Sequence, residues 1–182
     1  MIKFFLAAVF FVIATSLSSR AQFISADVGV DGLTCSLCSK GTEVTLKKLA
    51  FVDTIWVDLN DLVAHIRFKK DTKVSMDDVR KMIEDAGFTV RSIKAVFNFD
   101  HTTVGKDYHF VYQGDTYHFI GADSKTLSGP VTLRFVDKQY VSKKEFTSLA
   151  KMTSLDCYKK GKAAMCCEGD YKVTGTLYHV SL

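Results

Sequence analysis

The chain has one proline, Pro130, and no internal repeat or low-complexity segment, which sets aside solenoid and tandem-array architectures. Cysteine is scarce and odd in number: Cys35, Cys38, Cys157, Cys166 and Cys167. An odd count cannot pair completely within a monomer, so a pure disulfide scaffold is excluded. After the first apolar stretch, no segment approaches the ~20 apolar residues of a spanning helix. G-x-S-x-G, a phosphate loop and H-E-x-x-H are all missing, and the carboxylates are unpatterned, so nothing points to a hydrolase or a kinase. There is no long basic stripe interleaved with aromatics. The 24 Lys and Arg stand against 20 Asp and Glu, net +4, with lysine pairs such as Lys47-Lys48 and Lys69-Lys70 scattered among acidic residues. No nucleic-acid partner is expected from that pattern.

What is present describes a globular protein: 47% hydrophobic and 24% charged residues in 182, room for one or two compact domains. Lys3, the apolar residues 4–14 and the small-x-small stretch Ser19-Arg20-Ala21 together predict a signal peptide over 1–21. Cleavage near Ala21 would leave Gln22 first, without stable membrane insertion. The expected localisation is periplasmic or secreted, an oxidising setting for the thiols.

The chemistry-bearing stretch is Gly32-Leu33-Thr34-Cys35-Ser36-Leu37-Cys38, where a hydrophobic strand gives way to a helical pattern. Both sulfurs can converge on one point there, and the helix N-terminus favours the thiolate form. Three readings of Cys35 and Cys38 stay open on the residues. One is a soft-metal site, since thiolates select Cu(I) and related ions. Another is a thiol–disulfide oxidoreductase, although Ser36-Leu37 is unlike W-C-G-P-C and the surroundings are not thioredoxin-like. The last is an inert local disulfide.

Around the motif, residues 23–30 alternate as a strand and 36–49 read as a helix that Gly41 weakens by ~1 kcal/mol. Two strands follow, 55–59 and 63–68, joined at Asn60-Asp61. Ser75 is an N-cap with Asp77 and Asp78 in the first turn, and Val79, Met82, Ile83 and Ala86 make the apolar stripe of a second helix that Gly87 stops. Residues 89–96 read as a fourth strand. The order β-α-β-β-α-β is the ferredoxin-like unit.

G-L-T-C-S-L-C, the helix positions Thr42, Leu46, Leu49 and Val52, and the ending Ala86-Gly87-Phe88 resemble the heavy-metal-associated domain over about residues 23–96. That is the module of copper chaperones, periplasmic mercury-binding proteins and metal-ATPase N-termini. Leu33 stands where the family usually has Met, Thr42 replaces an aliphatic residue, and Phe51 replaces a Gly before Val52. The resemblance implies a metal site at Cys35 and Cys38, with Phe88 shielding the sulfurs. It implies Cu(I), or Hg(II) or another thiophilic ion, passed by thiolate exchange to or from a metal-donor or metal-acceptor protein without bond-making catalysis. A module that binds a partner without metal is the alternative of a different class.

At about residue 97 the composition changes. All 7 tyrosines, Pro130 and the histidines His101, His109, His118 and His179 lie beyond it. Strand-like runs at 108–112, 116–120, 131–136 and 171–180, a Gly114-Asp115 turn signal and a short helix over 142–151 predict a small β-rich domain at 97–182, with an OB-like barrel as the nearest pattern. The expected whole is thus α+β, with a ferredoxin-like domain over 22–96. Met82 reads as helical core. The histidines, His65 included, lack metal-ligand spacing and read as surface or internally satisfied residues. Cys157 is expected to bridge to Cys166 or Cys167, closing a loop of about ten residues worth roughly 2.7 kcal/mol. The competing reading is a second soft-metal site built from these thiols with Met165 or Met152.

Overall fold

In the computed structural model, residues 21–161 and 173–182 are described. The signal-peptide expectation for 1–21 falls almost wholly outside them, as do Met165, Cys166 and Cys167. The first half is built from β1 (Gln22–Asp31), α1 (Ser36–Leu46), β2 (Val52–Asp58), β3 (Val63–Phe68) and α2 (Met76–Asp85), and leads into β4 (Thr89–Val104). The second half adds β5 (His109–Tyr112), β6 (Asp115–Phe119), β7 (Lys125–Phe135), α3 (Lys143–Leu149), α4 (Asp156–Lys160) and β8 (Leu177–Ser181). Among the described residues no helix is long and apolar enough to cross a membrane.

The first four strands take the order β2-β3-β1-β4, all antiparallel, which is the ferredoxin-like arrangement expected of the pattern. Alternation drives it. Ala26, Val28 and Val30 of β1 meet Ala64 and Ile66 of β3 and Ile93 and Ala95 of β4 in one buried cluster, which Leu46 of α1 and Met76, Val79 and Ile83 of α2 complete. Ser75 caps α2 by accepting from the Asp78 amide at 3.1 Å. Thr42 fits its apolar position because its hydroxyl donates to the Cys38 carbonyl at 3.1 Å, leaving only its methyl to be buried. α1 ends at Leu46, shorter than the pattern suggests, and Leu49 still packs on the core from the turn that follows. Phe51 stacks edge-on against Phe68, with ring centroids 6.0 Å apart, and so closes the turn that glycine would otherwise make.

Gly41 lies on the exposed side of α1, and a methyl group there would meet nothing within 4 Å. Gly41→Ala is therefore expected to stabilise the protein by roughly 1 kcal/mol through helix propensity alone. Urea denaturation curves of the two proteins measure this, and a lower midpoint for the alanine variant would contradict it.

The expected boundary at 96/97 falls inside β4, which runs 16 residues without interruption. Its inward positions, Ile93, Ala95, Phe97 and Phe99, keep the same alternation across that point. Beyond it the sheet continues as β4-β7-β8-β6-β5, giving eight strands in one mixed sheet. Antiparallel pairing holds except where β6 runs parallel to β8. Among the described residues the second half therefore extends the first sheet and does not close into the OB-like barrel expected from its strand count. The physical reason is that β4 is long enough to offer β7 a complete edge, with Lys94 to Val104 paired to Arg134 through Lys125.

Candidate metal-binding loop and a buried histidine cluster

Gly32 ends β1 at φ +95°, a conformation that glycine takes without strain, and the chain turns from the sheet toward α1. Leu33 plugs the loop into the core at 1% exposure, the anchoring role expected of the family's Met. Thr34 and Cys35 are exposed and Cys38 is half-buried. Cys35 is the N-cap of α1 in extended conformation, and its sulfur accepts from the Cys38 amide at 3.1 Å. The Cys38 amide of the first turn thus points at the sulfur, where a negative charge is stabilised.

Cys35 and Cys38 are joined as a disulfide, with Cα atoms 5.2 Å apart. Of the three readings, the structure therefore holds the oxidised form, and two-thiolate binding requires its reduction. Leu37, between the two, is 82% exposed and projects an apolar side chain from the loop tip. Phe88 packs against the core with its ring over the loop, since a methyl group on Gly32 would come within 3.3 Å of it. Met82 packs into the core as expected. Among the described residues, neither cysteine belongs to a group of three or more metal-ligating side chains.

The histidines divide between the surface and the internally satisfied positions expected of them. His65 is half-buried, its Nδ1–H donates to Asp27 Oδ1 at 2.7 Å, and its ring stacks on Trp56 with centroids 4.9 Å apart. His101 is exposed beside Asp100. His118 and His179 are not surface residues: both are 0% exposed. They stand with His109 in a row across three strands, because His109 pairs with His118 between β5 and β6, and His118 with His179 between β6 and β8. The pleat points Tyr117 and Phe119 into the aromatic core and sends the intervening His118 to the opposite face.

Over that face lies α4 with Cys157, whose sulfur is 3.6 Å from His118 Nδ1. His118 Nε2 lies 3.1 Å from Asp107 Oδ1, and His109 Nδ1 lies 3.0 Å from the Asp107 carbonyl oxygen. Burial would raise the Asp107 carboxyl, but hydrogen bonds from Thr153, Ser154 and His118 outweigh it and hold the group below the usual range. Burial, reinforced by His109 and His179, pushes His118 down to about 4, so the imidazole is neutral at ordinary pH. Burial likewise lowers His109. Cys157 itself is fully buried, and the bridge expected to Cys166 or Cys167 concerns partners outside the described residues. Met152, on the turn before α4, is 46% exposed with its side chain against Gly121.

No family model matches the chain. Among curated proteins it is similar to a copper-transporting ATPase of Helicobacter felis, 36% identical over 73 residues, which are 40% of this chain and 9% of that one. A probable copper-exporting P-type ATPase of Archaeoglobus fulgidus is 31% identical over 75 residues, again 9% of its length. The chain thus spans about a tenth of the length of the curated relatives it matches. Among solved structures, a copper binding domain from a P-type ATPase aligns at 35% identity and TM-score 0.33, covering 36% of this chain and 86% of that one. Oxidised MerP from Ralstonia metallidurans aligns at 27% identity and TM-score 0.33, covering 40% and 99%. The two curated relatives, described as copper-transporting and copper-exporting ATPases, agree with the heavy-metal-associated resemblance read from the motifs, over about 40% of the chain.

Proposed function

We propose that the protein binds a soft metal ion, Cu(I) foremost and Hg(II) or another thiophilic ion as alternatives, through Cys35 and Cys38, and hands it on by thiolate exchange. The observation that carries this reading is the convergence of two sulfurs on an exposed loop at the N-terminus of α1, with the Cys38 amide donating to the Cys35 sulfur. Thiolates suit such ions, and an exposed pair lets a partner's cysteines attack the metal before both bonds to it are broken. Similarity over 73 residues to a protein described as a copper-transporting ATPase supports copper as the ion. The partner is then a metal donor or acceptor, and Leu37 at the loop tip is the apolar contact it would cover. Export through the N-terminal stretch belongs to the same proposal and makes the thiol state the controlling variable.

Reduction of the disulfide consumes two electrons and releases two thiols, which lose their protons on binding the ion. The oxidised protein is therefore expected to take up no Cu(I) at the loop. The reduced, metal-loaded protein is expected to resist alkylation at both cysteines, while the reduced, metal-free protein is labelled at both. Mass spectrometry of iodoacetamide-treated samples measures this, and equal labelling with and without Cu(I) would remove the shared site.

The disulfide itself favours a second reading, a thiol–disulfide oxidoreductase. In that reaction a substrate dithiol becomes a disulfide as Cys35–Cys38 is reduced. Catalytic turnover of a dithiol or disulfide substrate, lost in Cys35→Ser, would favour it over metal transfer.

A further inference from the structure

We propose that His109, His118 and Cys157 form a second metal site, on the far side of the sheet's aromatic core, which takes one Zn(II) or copper ion through two imidazoles and one thiolate. The donor atoms of the three residues all lie within 4.8 Å of one another. For metal–nitrogen bonds of about 2.0 Å and metal–sulfur bonds of about 2.3 Å, adjacent tetrahedral donors sit roughly 3.5 Å apart. The 3.6 Å separation of His118 Nδ1 and Cys157 Sγ matches that edge.

The surrounding hydrogen bonds set the tautomer of each ring; because the His109 and His118 rings stack 4.4 Å apart and within 7° of parallel, uptake of a shared ion requires the His109 ring to turn out of that stack. The Asp107 carboxylate oxygen, 3.1 Å from His118 Nε2, accepts Nε2–H, so the Nδ1 lone pair of His118 faces Cys157 Sγ. His109 donates Nδ1–H to the Asp107 carbonyl, which makes Nε2 its lone-pair nitrogen. A carboxylate behind a ligating imidazole fixes the tautomer and raises its basicity. Asp107 also accepts from the Ser154 amide and hydroxyl, at 3.2 and 3.0 Å, which ties the segment entering α4 to the histidine hairpin. The same residue therefore orients one ring by its carboxylate, a second by its backbone and the approach of the cysteine.

Two further observations point to a ligand. His179, next in the row with its ring 5.3 Å from that of His118, has Nε2 buried without a hydrogen-bond partner among the described residues. Its Nδ1 is bound to Asp137 at 2.6 Å, so the row holds more imidazole donor capacity than its own hydrogen bonds use. His109 is half-buried while the other two donors are buried, so the cluster comes nearest to solvent at the His109 ring. A mixed imidazole–thiolate set suits borderline ions, Zn(II) and copper, more than hard oxygen-seeking ones.

The site is tested apart from the N-terminal loop, in the full chain carrying both Cys35→Ser and Cys38→Ser and kept reduced with a phosphine. Co(II) is the spectroscopic probe, followed by displacement with Zn(II) and, anaerobically, with Cu(I). One bound equivalent of Co(II) with a thiolate-to-metal charge-transfer band is expected, and the displacement titrations show which of Zn(II) and Cu(I) the site holds more tightly. Cys157→Ser in this background should lose the band, and His118→Asn should lose the bound equivalent. Asp107→Asn, a positioning change, should weaken binding about 10–100-fold with the band retained. If the buried variants fail to fold, the folded parent still decides: no bound equivalent, or a bound ion without a thiolate band, overturns the proposal. Loss of the ion in Cys166→Ser/Cys167→Ser with retention in His118→Asn would assign it to the vicinal pair and overturn the proposal as well.

Discussion

Replacing either Cys35 or Cys38 by serine is expected to abolish binding of a soft ion at the loop, taking the stoichiometry there from one to none. The loop offers two sulfurs, and among the described residues no third ligand-type side chain groups with them. A serine hydroxyl is a hard, protonated donor at neutral pH and does not replace a thiolate for Cu(I). The remaining cysteine would be a single thiol, exposed at the helix cap if it is Cys35 and half-buried in the first turn if it is Cys38. Folding should be little affected, since Leu33 anchors the loop in the core, Cys38 packs there only in part, and serine at position 35 is itself a favoured N-cap. Chelator-competition titration of the reduced variants measures the loss, and affinity in the unmodified protein should also fall with acid as the thiolates protonate. Unchanged stoichiometry and affinity in the double variant would remove the metal assignment. Any ion that persists there must be traced to the second site before it is counted.

Truncating Phe97 is expected to cost about 3–5 kcal/mol, as for other fully buried Phe→Ala changes. The loss should appear in both halves at once. Phe97 sits on β4 where the two halves join, with ring centroids 4.9 Å from Phe23 in β1, 4.7 Å from Phe99, 5.4 Å from Phe110 in β5 and 4.9 Å from Tyr112. Other contacts cross the same junction. Tyr140 donates to Asp77 at 3.4 Å, and Lys73 pairs with Asp115 at 3.1 Å. The chain carries its own probes: Trp56 lies in the first half and all 7 tyrosines lie in the second. Denaturant unfolding followed by tryptophan fluorescence and by tyrosine absorbance should give coincident transitions, shifted together in Phe97→Ala. Separate midpoints, with only one shifted, would show that the sheet's continuity does not couple the halves.

Much of the first half can be read from sequence because its signals are local. Ser75 before Met76, Gly87 after Ala86 and the alternation of 63–68 each mark an element edge by the conformation or burial that residue type prefers. The C-x-x-C loop is readable for the same reason, since both cysteines and the helix cap lie within four residues. Thr42 is the instructive exception. An apolar position can hold a threonine when the helix itself satisfies the hydroxyl, and only the bond to the Cys38 carbonyl reveals that.

The second half depends on register, where small errors are amplified. The Gly114-Asp115 signal predicts a hairpin, and the structure has one, but its turn residues are Gln113 and Gly114, both at positive φ, as a two-residue type I′ turn requires. Moving the turn by one residue changes each cross-strand partner by two. With the turn at 114–115, Val111 would face His118; with the turn at 113–114, His109 does. The histidine pair was therefore within one residue of being legible. His179 was not, because it joins the row through a parallel β6–β8 pairing between segments nearly sixty residues apart. Cys157 likewise reaches His118 only through the packing of α4 over the sheet.

By itself, the sequence determined the ferredoxin-like order of the first half and the placement of Cys35 and Cys38 at a helix start, since capping and alternation act over a few neighbouring residues. Tertiary structure alone decided that β4 runs through the compositional boundary, that the added strands extend one sheet, and that two histidines and a cysteine from distant segments meet in its interior. Those outcomes follow from which strand edges remain to be paired and which faces remain to be covered, and an unpaired edge accepts its partner by hydrogen bonding that carries no side-chain signature.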